Sequence, residues 1–347
     1  MKRILIPAAM VILIMGLMIS GCSEKKEEAA QSETTTPKAQ ETAPAAVQYS
    51  IKIGGGPTGG TFNTFANGMA VYVPKVQSNI QATAVGSGGS VENVKRVSSR
   101  ESDFGLCYAV DSDLGYRGKL PKDSATYQGQ RAMGYLYGAP AQLVVKADSG
   151  ITSAMDLKGK RVAVGNAGSG AAASAERFFR HIGIWDEFKP TFMGYSAAAS
   201  AFKDGKIDAF WVLVGYPNRS VIEAGVQVKI KLLDVGVDAE KTGFYDAYAY
   251  SPTTIPAGTY GKDMPETKTF QDSTILTVNK EIGDDLVFTI MKTLWSDAGM
   301  EAMVMAKSTF KAMNMENKFR GASVPLHPGA VKFWKEKGVE IPDKLMP

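Results

Sequence analysis

Apolar residues along this chain follow two alternating periods. Short apolar runs rich in Val and Ile at 49–53, 80–85, 141–146, 161–165 and 207–214 read as strands. Between them, 61–72, 91–99, 171–182 and 218–224 carry apolar residues at helical spacing. That alternation predicts an α/β fold. From Asp272 onward the pattern reads as mainly helical, with helical periods at 284–296 and 300–313, and the methionines there serve as adaptable core filler. A run of turn formers, Lys146-Ala-Asp-Ser-Gly150, marks the start of a second lobe.

The N-terminal pattern is different. Lys2 and Arg3 precede an apolar run that closes on Ile19-Ser-Gly-Cys22, the arrangement of an export signal and too short to span a membrane comfortably. The tetrapeptide also resembles a bacterial lipobox, which makes Cys22 a lipid anchor and 1–21 the signal peptide. Residues 22–48 are Glu, Lys, Ala, Gln, Ser, Thr and Pro with almost nothing to bury, so they read as a flexible linker. Roughly 300 residues remain, enough for two lobes. The division expected is 49–145 for the first part of lobe I, 146–249 for lobe II, and 250–347 for the return to lobe I with C-terminal helices.

Composition narrows the function. A 44% hydrophobic content is that of a globular chain, and a formal charge of +4 with basic and acidic residues interspersed gives no nucleic-acid signature. Cys107 is the only cysteine besides Cys22, so the fold must stand on its core. With two histidines, His181 and His327, and with no H-E-x-x-H, G-x-S-x-G or cysteine cluster, neither a metal site nor a catalytic centre is indicated. A helix-end role for His181 and a structural turn for His327 are the readings adopted. No cofactor is expected.

What stands out instead is three glycine-rich loops, each between a strand and a helix: Gly54-Gly-Gly-Pro-Thr-Gly-Gly60, Gly86-Ser-Gly-Gly-Ser90 and Gly165-Asn-Ala-Gly-Ser-Gly170. Any one of them fits a tight turn. Together they favour an anion site, because glycine lets backbone approach a ligand and a helix start offers free N–H groups and partial positive charge. Gly54, Gly56 and Gly59 match the dinucleotide fingerprint, but the next strand ends in Val85-Gly-Ser87 without the acid a ribose needs. A P-loop fails because Gly60 stands where the phosphate-binding lysine belongs.

Further segments carry a family resemblance. Gly-Gly-x-x-Gly-Gly-Thr at 55–61, Gly-Ser-x-x-Ser-x-x-Asn at 86–93, and Asp-Leu-Lys-Gly-Lys-Arg-Val-Ala-Val-Gly at 156–165 with Gly168-Ser169-Gly170 resemble solute-binding proteins of tripartite ATP-independent periplasmic (TRAP) transporters, of the TAXI type. Gly205-Lys-Ile-Asp-Ala-Phe210, Gly215-Tyr-Pro217, Ile255-Pro-Ala-Gly-Thr-Tyr260 and Leu326-His-Pro-Gly-Ala330 extend the likeness in order from about Ser50 to Gly338. The resemblance implies a two-lobed periplasmic-binding-protein-like fold with a ligand cleft between lobes. It also implies capture of a small carboxylate, glutamate-like or oxoglutarate-like, and delivery to TRAP membrane permease subunits. The departures are Phe62-Asn63 in place of paired aromatics, Ala171 in place of a threonine, and Tyr137-Gly-Ala-Pro140 without a nearby acid.

The expected ligand-binding residues are Thr58, Gly60, Thr61, Phe62, Ser87, Gly88, Ser90 and Asn93 from the first lobe. Gly168, Ser169, Gly170 and Gly215 join them, with Tyr108, Tyr137 and Trp211 as apolar walls. Ser90 also fits a helix cap, and the three aromatics also fit the core. The protein is then a monomer in the cell envelope, held to the membrane through its lipid. Competing readings are the binding protein of another transporter class, that of a signalling receptor, and a secreted hydrolase.

Overall fold

Two long strands organise the molecule; the apolar pattern predicts only the end of the first and no strand in place of the second. The computed structural model describes residues 47–347; the export signal, Cys22 and nearly all of the linker lie outside the described residues. The strands are β1 (Tyr49–Gly54), β2 (Ile80–Val85), β3 (Phe104–Tyr108), β4 (Gln130–Lys146), β5 (Arg161–Gly165), β6 (Lys189–Phe192), β7 (Ala209–Leu213), β8 (Ile230–Leu232), β9 (Ser251–Ile255) and β10 (Thr267–Asn279). They run in the order β2-β1-β3-β10-β4-β7-β5-β6, with β8 beside β4 and β9 beside β10. β1 to β3 are parallel neighbours, as are β5 to β7; β4 and β10 run antiparallel to what they touch.

β4 pairs with β10 as far as Pro140, then from Ala141 pairs with β7. β10 pairs first with β9 and then with β3. The chain therefore crosses between two halves of the sheet in β4 and comes back through β9 and β10. This is the mixed α/β fold the alternation predicts, with the two lobes the resemblance implies. The expectation of a helical stretch from Asp272 is corrected: the segment through Asn279 is the centre of the sheet. Thr269, Asp272, Thr274 and Thr277 interrupt its apolar run, yet all four are buried. Thr269 Oγ1 donates to the Ala141 carbonyl at 2.6 Å and Thr277 Oγ1 to that of Gly105 at 3.0 Å, so these two β-branched residues take up core positions with their hydroxyls satisfied, whereas Thr274 Oγ1 is buried without a partner.

Helices cover both faces: α1 (Thr61–Val76), α2 (Ser90–Ser98), α3 (Ala109–Tyr116), α4 (Gly170–His181), α5 (Tyr195–Lys203) and α6 (Arg219–Gln227), with further helices at Asp284–Leu294, Asp297–Ala306 and Pro328–Glu336. α1 buries Thr61, Phe62, Phe65, Ala66, Met69 and Val73, an i, i+3/i+4 stripe. Behind α4 an aromatic group packs: Trp211 stacks on Phe178 at 5.7 Å and lies 5.8 Å from Phe270. Truncating such a ring costs about 3–5 kcal/mol. A separate cluster of Val144, Ala163, Phe202, Phe210, Val212 and Val221 lies beneath α5 and α6. No described helix is long and apolar enough to cross a membrane.

Candidate functional site

Five helices begin at one place. Gly60 caps α1, Gly89 caps α2, Tyr108 caps α3, Ser169 caps α4 and Gly194 caps α5, and all five residues line the same cleft. Each helix follows a strand directly or after a short loop, so the sheet aims the starts at a common point. Counted out to its mouth, the cleft holds about 440 Å³ of empty volume. Only Ser169 caps its helix with a side chain, through Oγ to Ala172 N–H at 3.0 Å; the cap residues of the other four make no such bond, and in α3 the first-turn Val110 N–H is taken instead by Asp272 Oδ1.

Glycine is required at two points. Gly89 has φ +124°, a conformation L side chains rarely adopt. Gly170 has no room for a side chain: a Cβ there meets the Tyr108 ring, Asp111 Oδ2 at 2.5 Å and Ser90 Cβ at 2.8 Å. These contacts bring α4 against the starts of α2 and α3, so the two halves of the sheet meet around the cleft.

Of the residues expected to bind, Gly60, Thr61, Phe62, Gly88, Ser90, Tyr108, Ser169 and Gly170 line the cleft. The rest lie off it. Thr58 and Gly168 are exposed on their loops. Ser87 braces the first two loops, donating to the Gly55 carbonyl at 3.0 Å and accepting from Gly89 N–H at 3.1 Å. Asn93 is buried, its amide donating to the carbonyls of Gly54, Gly55 and Leu106. Trp211 belongs to the core, with Nε1 donating to Ser174 Oγ at 3.0 Å, and Tyr137 packs edge-on to Phe310. Gly215 faces Thr309. Ser90 is not a cap: it follows Gly89, and its Oγ accepts from Tyr108 N–H at 2.8 Å.

Sequence reasoning missed Asn166, Gly194, Tyr195 and Val214. The α5 start had a faint signal, a glycine followed by Tyr-Ser, but β6 ahead of it is a four-residue edge strand without apolar alternation.

The lining is predominantly apolar, with Thr61, Ser90, Asn166 and Ser169 its small polar side chains and no Lys, Arg, His, Asp or Glu in it. Tyr108 and Tyr195 both donate their hydroxyls to the Leu213 carbonyl, the latter at 3.0 Å, so their rings face the cleft. Burial pushes both phenols up, and they stay neutral. Phe62 packs on Tyr108 with centroids 4.8 Å apart. Thr61 Oγ1 is buried and has no hydrogen-bond partner. The Gly88 N–H is taken by Glu92 Oε2 at 2.7 Å, and Glu92 in turn pairs with Arg96 at 2.5 Å.

Charge lies one layer deeper. Arg177 of α4 forms an ion pair with Asp111 of α3, with side-chain exposures of 4% and 0%, and donates to Tyr250 Oη at 2.7 Å. Asp272 Oδ1 accepts from Val110 N–H at 3.3 Å. Burial first, and Asp111 second, raise the Asp272 carboxyl well above the usual range, against the pull of Arg177. The histidines are elsewhere: His327 caps the helix Pro328–Glu336 through Nδ1, which accepts from Gly329 N–H, and His181 lies 2.9 Å from the Thr242 carbonyl. Among the described residues no group of three or more His, Cys, Asp or Glu could hold a metal.

Comparisons with known proteins bear on the fold and the family. The solved structure of PhnD1 from Prochlorococcus marinus in complex with methylphosphonate shares the fold at a TM-score of 0.50, with 13% identity over 76% of this chain and 90% of that one. The periplasmic aliphatic sulphonate binding protein SsuA from Escherichia coli aligns at a TM-score of 0.48, with 15% identity, 84% of this chain and 80% of the other. Over 139 residues the chain is 29% identical to the curated aliphatic sulfonates-binding protein of Escherichia coli (strain K12), which is 38% of this chain and only 42% of that relative's length. A family model matches residues 53–338, and on that match the chain belongs to the NMT1-like family.

Proposed function

We propose that this protein is an extracytoplasmic solute-binding protein that captures a small anion in the cleft and hands it to a membrane transporter. The observation that carries this reading is the convergence of five helix starts on a cleft whose lining has no cationic side chain. Backbone N–H groups and helix dipoles supply the positive potential an anion needs. Gly60, Thr61, Ser90, Ser169 and Gly170 hold the charged end, and Phe62, Tyr108 and Tyr195 pack on the carbon skeleton. The lining offers backbone donors and neutral rings in place of an acid–base pair, which favours binding over turnover.

In its finer form the proposal follows the resemblance in the sequence. The ligand is a small carboxylate, glutamate-like or oxoglutarate-like; the partners are the permease subunits of a TRAP transporter of the TAXI type. Residues 49–145 and 250–347 form one lobe and 146–249 the other; Cys22 is lipidated and holds a monomer to the membrane of the cell envelope. A second reading, an aliphatic sulfonate, is favoured by the relative that is 29% identical over 139 residues. Both anions suit the same donors.

A thermal-shift panel separates them. A ligand that binds only the folded state adds about 2.7 kcal/mol at a hundredfold excess over its Kd. Glutamate and 2-oxoglutarate are expected to raise Tm, methanesulfonate and methylphosphonate to do so less, and amide analogues and sugars to leave it unchanged. Stabilisation by sugars and by none of the anions overturns the reading.

A further inference from the structure

The buried charges behind the cleft do not balance. Asp111, Asp272 and Arg177 are all nine-tenths buried or more, so two carboxylates lie near one guanidinium, which pairs with Asp111. Arginine keeps its charge, and a second ionised carboxylate then leaves a net negative charge in the core, which is costly. The surrounding groups do not relieve it. The titratable and charged side chains turned toward Asp272 are Asp111 from α3, Arg177 from α4, Tyr108 at the end of β3 and Tyr250 just before β9, and both tyrosines are held neutral by burial. Asp111 Oδ2 and Asp272 Oδ2 both lack hydrogen-bond partners.

The cluster is also adjacent to the cleft. Asp111 Oδ2 lies 2.5 Å from where a Cβ on Gly170 would sit, directly behind the start of α4. Asp272 Oδ1 holds the Val110 N–H in the first turn of α3, whose cap, Tyr108, lines the cleft. A negative charge on Asp272 therefore opposes an anion in the cleft, and a proton there removes the opposition.

We propose that Asp272 is a proton-binding site linked to the cleft, so that an anion is captured together with a proton. This rests on the anion reading for its linkage, though not for the proton site itself. Protonated, Asp272 leaves Asp111–Arg177 as a neutral pair joining α3 to α4. Deprotonated, it competes for Arg177 and places unbalanced negative charge behind the ligand. Affinity then falls about tenfold for each unit by which ligand and proton raise one another's binding.

The test is a ¹³C titration of side-chain carboxyls in the full chain. The Asp272 signal is assigned by its loss in Asp272→Asn or, should the amide fail to fold, by its move to the glutamate region in Asp272→Glu. A signal that titrates well above the ordinary aspartate range supports the proton site; one within or below that range overturns it, whatever the ligand. The titration is repeated with saturating 2-oxoglutarate and with saturating methanesulfonate. An upward shift, together with an affinity that falls with pH in the wild type and stays flat in Asp272→Asn, supports the linkage. A bound probe that leaves the Asp272 signal unmoved overturns the linkage while the anion reading stands. Failure of both probes to bind at any pH overturns the linkage together with that reading, and leaves the proton site to its own titration.

Discussion

The cleft and the layer behind it share walls yet handle charge in opposite ways. The cleft lining has no ionisable side chain except tyrosines held neutral, and the cap residues of five helices border it. One layer in, Asp111, Arg177 and Asp272 stand buried against one another. The contrast teaches that positive potential for a ligand need not come from a cation. In the proposed reading fixed backbone dipoles supply that potential at the cleft, while side-chain charge joins the pieces that carry the dipoles. α4 does both: its first turn faces the cleft, and Arg177, two turns on, ties it to α3.

Breaking the buried layer is expected to have the largest effect. Arg177→Met leaves two carboxylates without their counter-charge, and removal of one partner from a buried pair costs about 3–5 kcal/mol. Denaturant melts at neutral pH will show that loss, and an unchanged midpoint would mean the cluster is hydrated and of little structural weight. Intruding on the boundary between the layers comes next. Gly170→Ala drives a methyl toward Asp111 and Ser90; such overpacking costs about 1–3 kcal/mol. The affinity for the captured anion is expected to drop at least tenfold by calorimetry, because the two halves no longer meet.

Asp272 sharpens the comparison through pH. Its folded-state pKa is raised, so the folded protein holds a proton that the unfolded chain has released, and stability falls as pH climbs from the ordinary aspartate range to the raised value. The slope is at most about 1.4 kcal/mol per pH unit. Melts across that range should show Asp272→Asn without this fall, its advantage over the wild type widening with pH; parallel curves would contradict the assignment. The smallest effect is expected at the cleft wall. Tyr195→Phe removes a hydrogen bond to the Leu213 carbonyl worth about 0.5–1.5 kcal/mol but keeps the ring, so stability drops slightly while affinity holds.

The cleft was more legible in the sequence than the layer behind it. The three loops announce themselves because the backbone needs glycine there, as the φ of Gly89 and the crowding at Gly170 demonstrate. The start of α5 has one glycine and no strong strand ahead of it, and so escaped. Asp111, Arg177 and Asp272 are far apart in sequence, and charged residues in a globular chain read as surface until the fold brings them together. β10 was hidden for the same reason: Thr269, Asp272 and Thr274 look like a polar stretch, and only pairing with β4 on one side and β3 or β9 on the other shows why they are buried. Trp211 and Tyr137 illustrate the converse. An aromatic within an apolar run fits a wall or a core equally well until its neighbours are known.

The central claim is that helix starts, with no cationic side chain, hold the solute. A crystal structure of the protein with the molecule it retains through native purification tests this most directly. The account predicts an anion in the cleft, with oxygens about 2.7–3.2 Å from first-turn N–H groups of helices on both sides, among them α1 and α4, and its carbon skeleton against Phe62, Tyr108 and Tyr195. A neutral ligand, or an anion held by lysine or arginine side chains elsewhere on the surface, would contradict it.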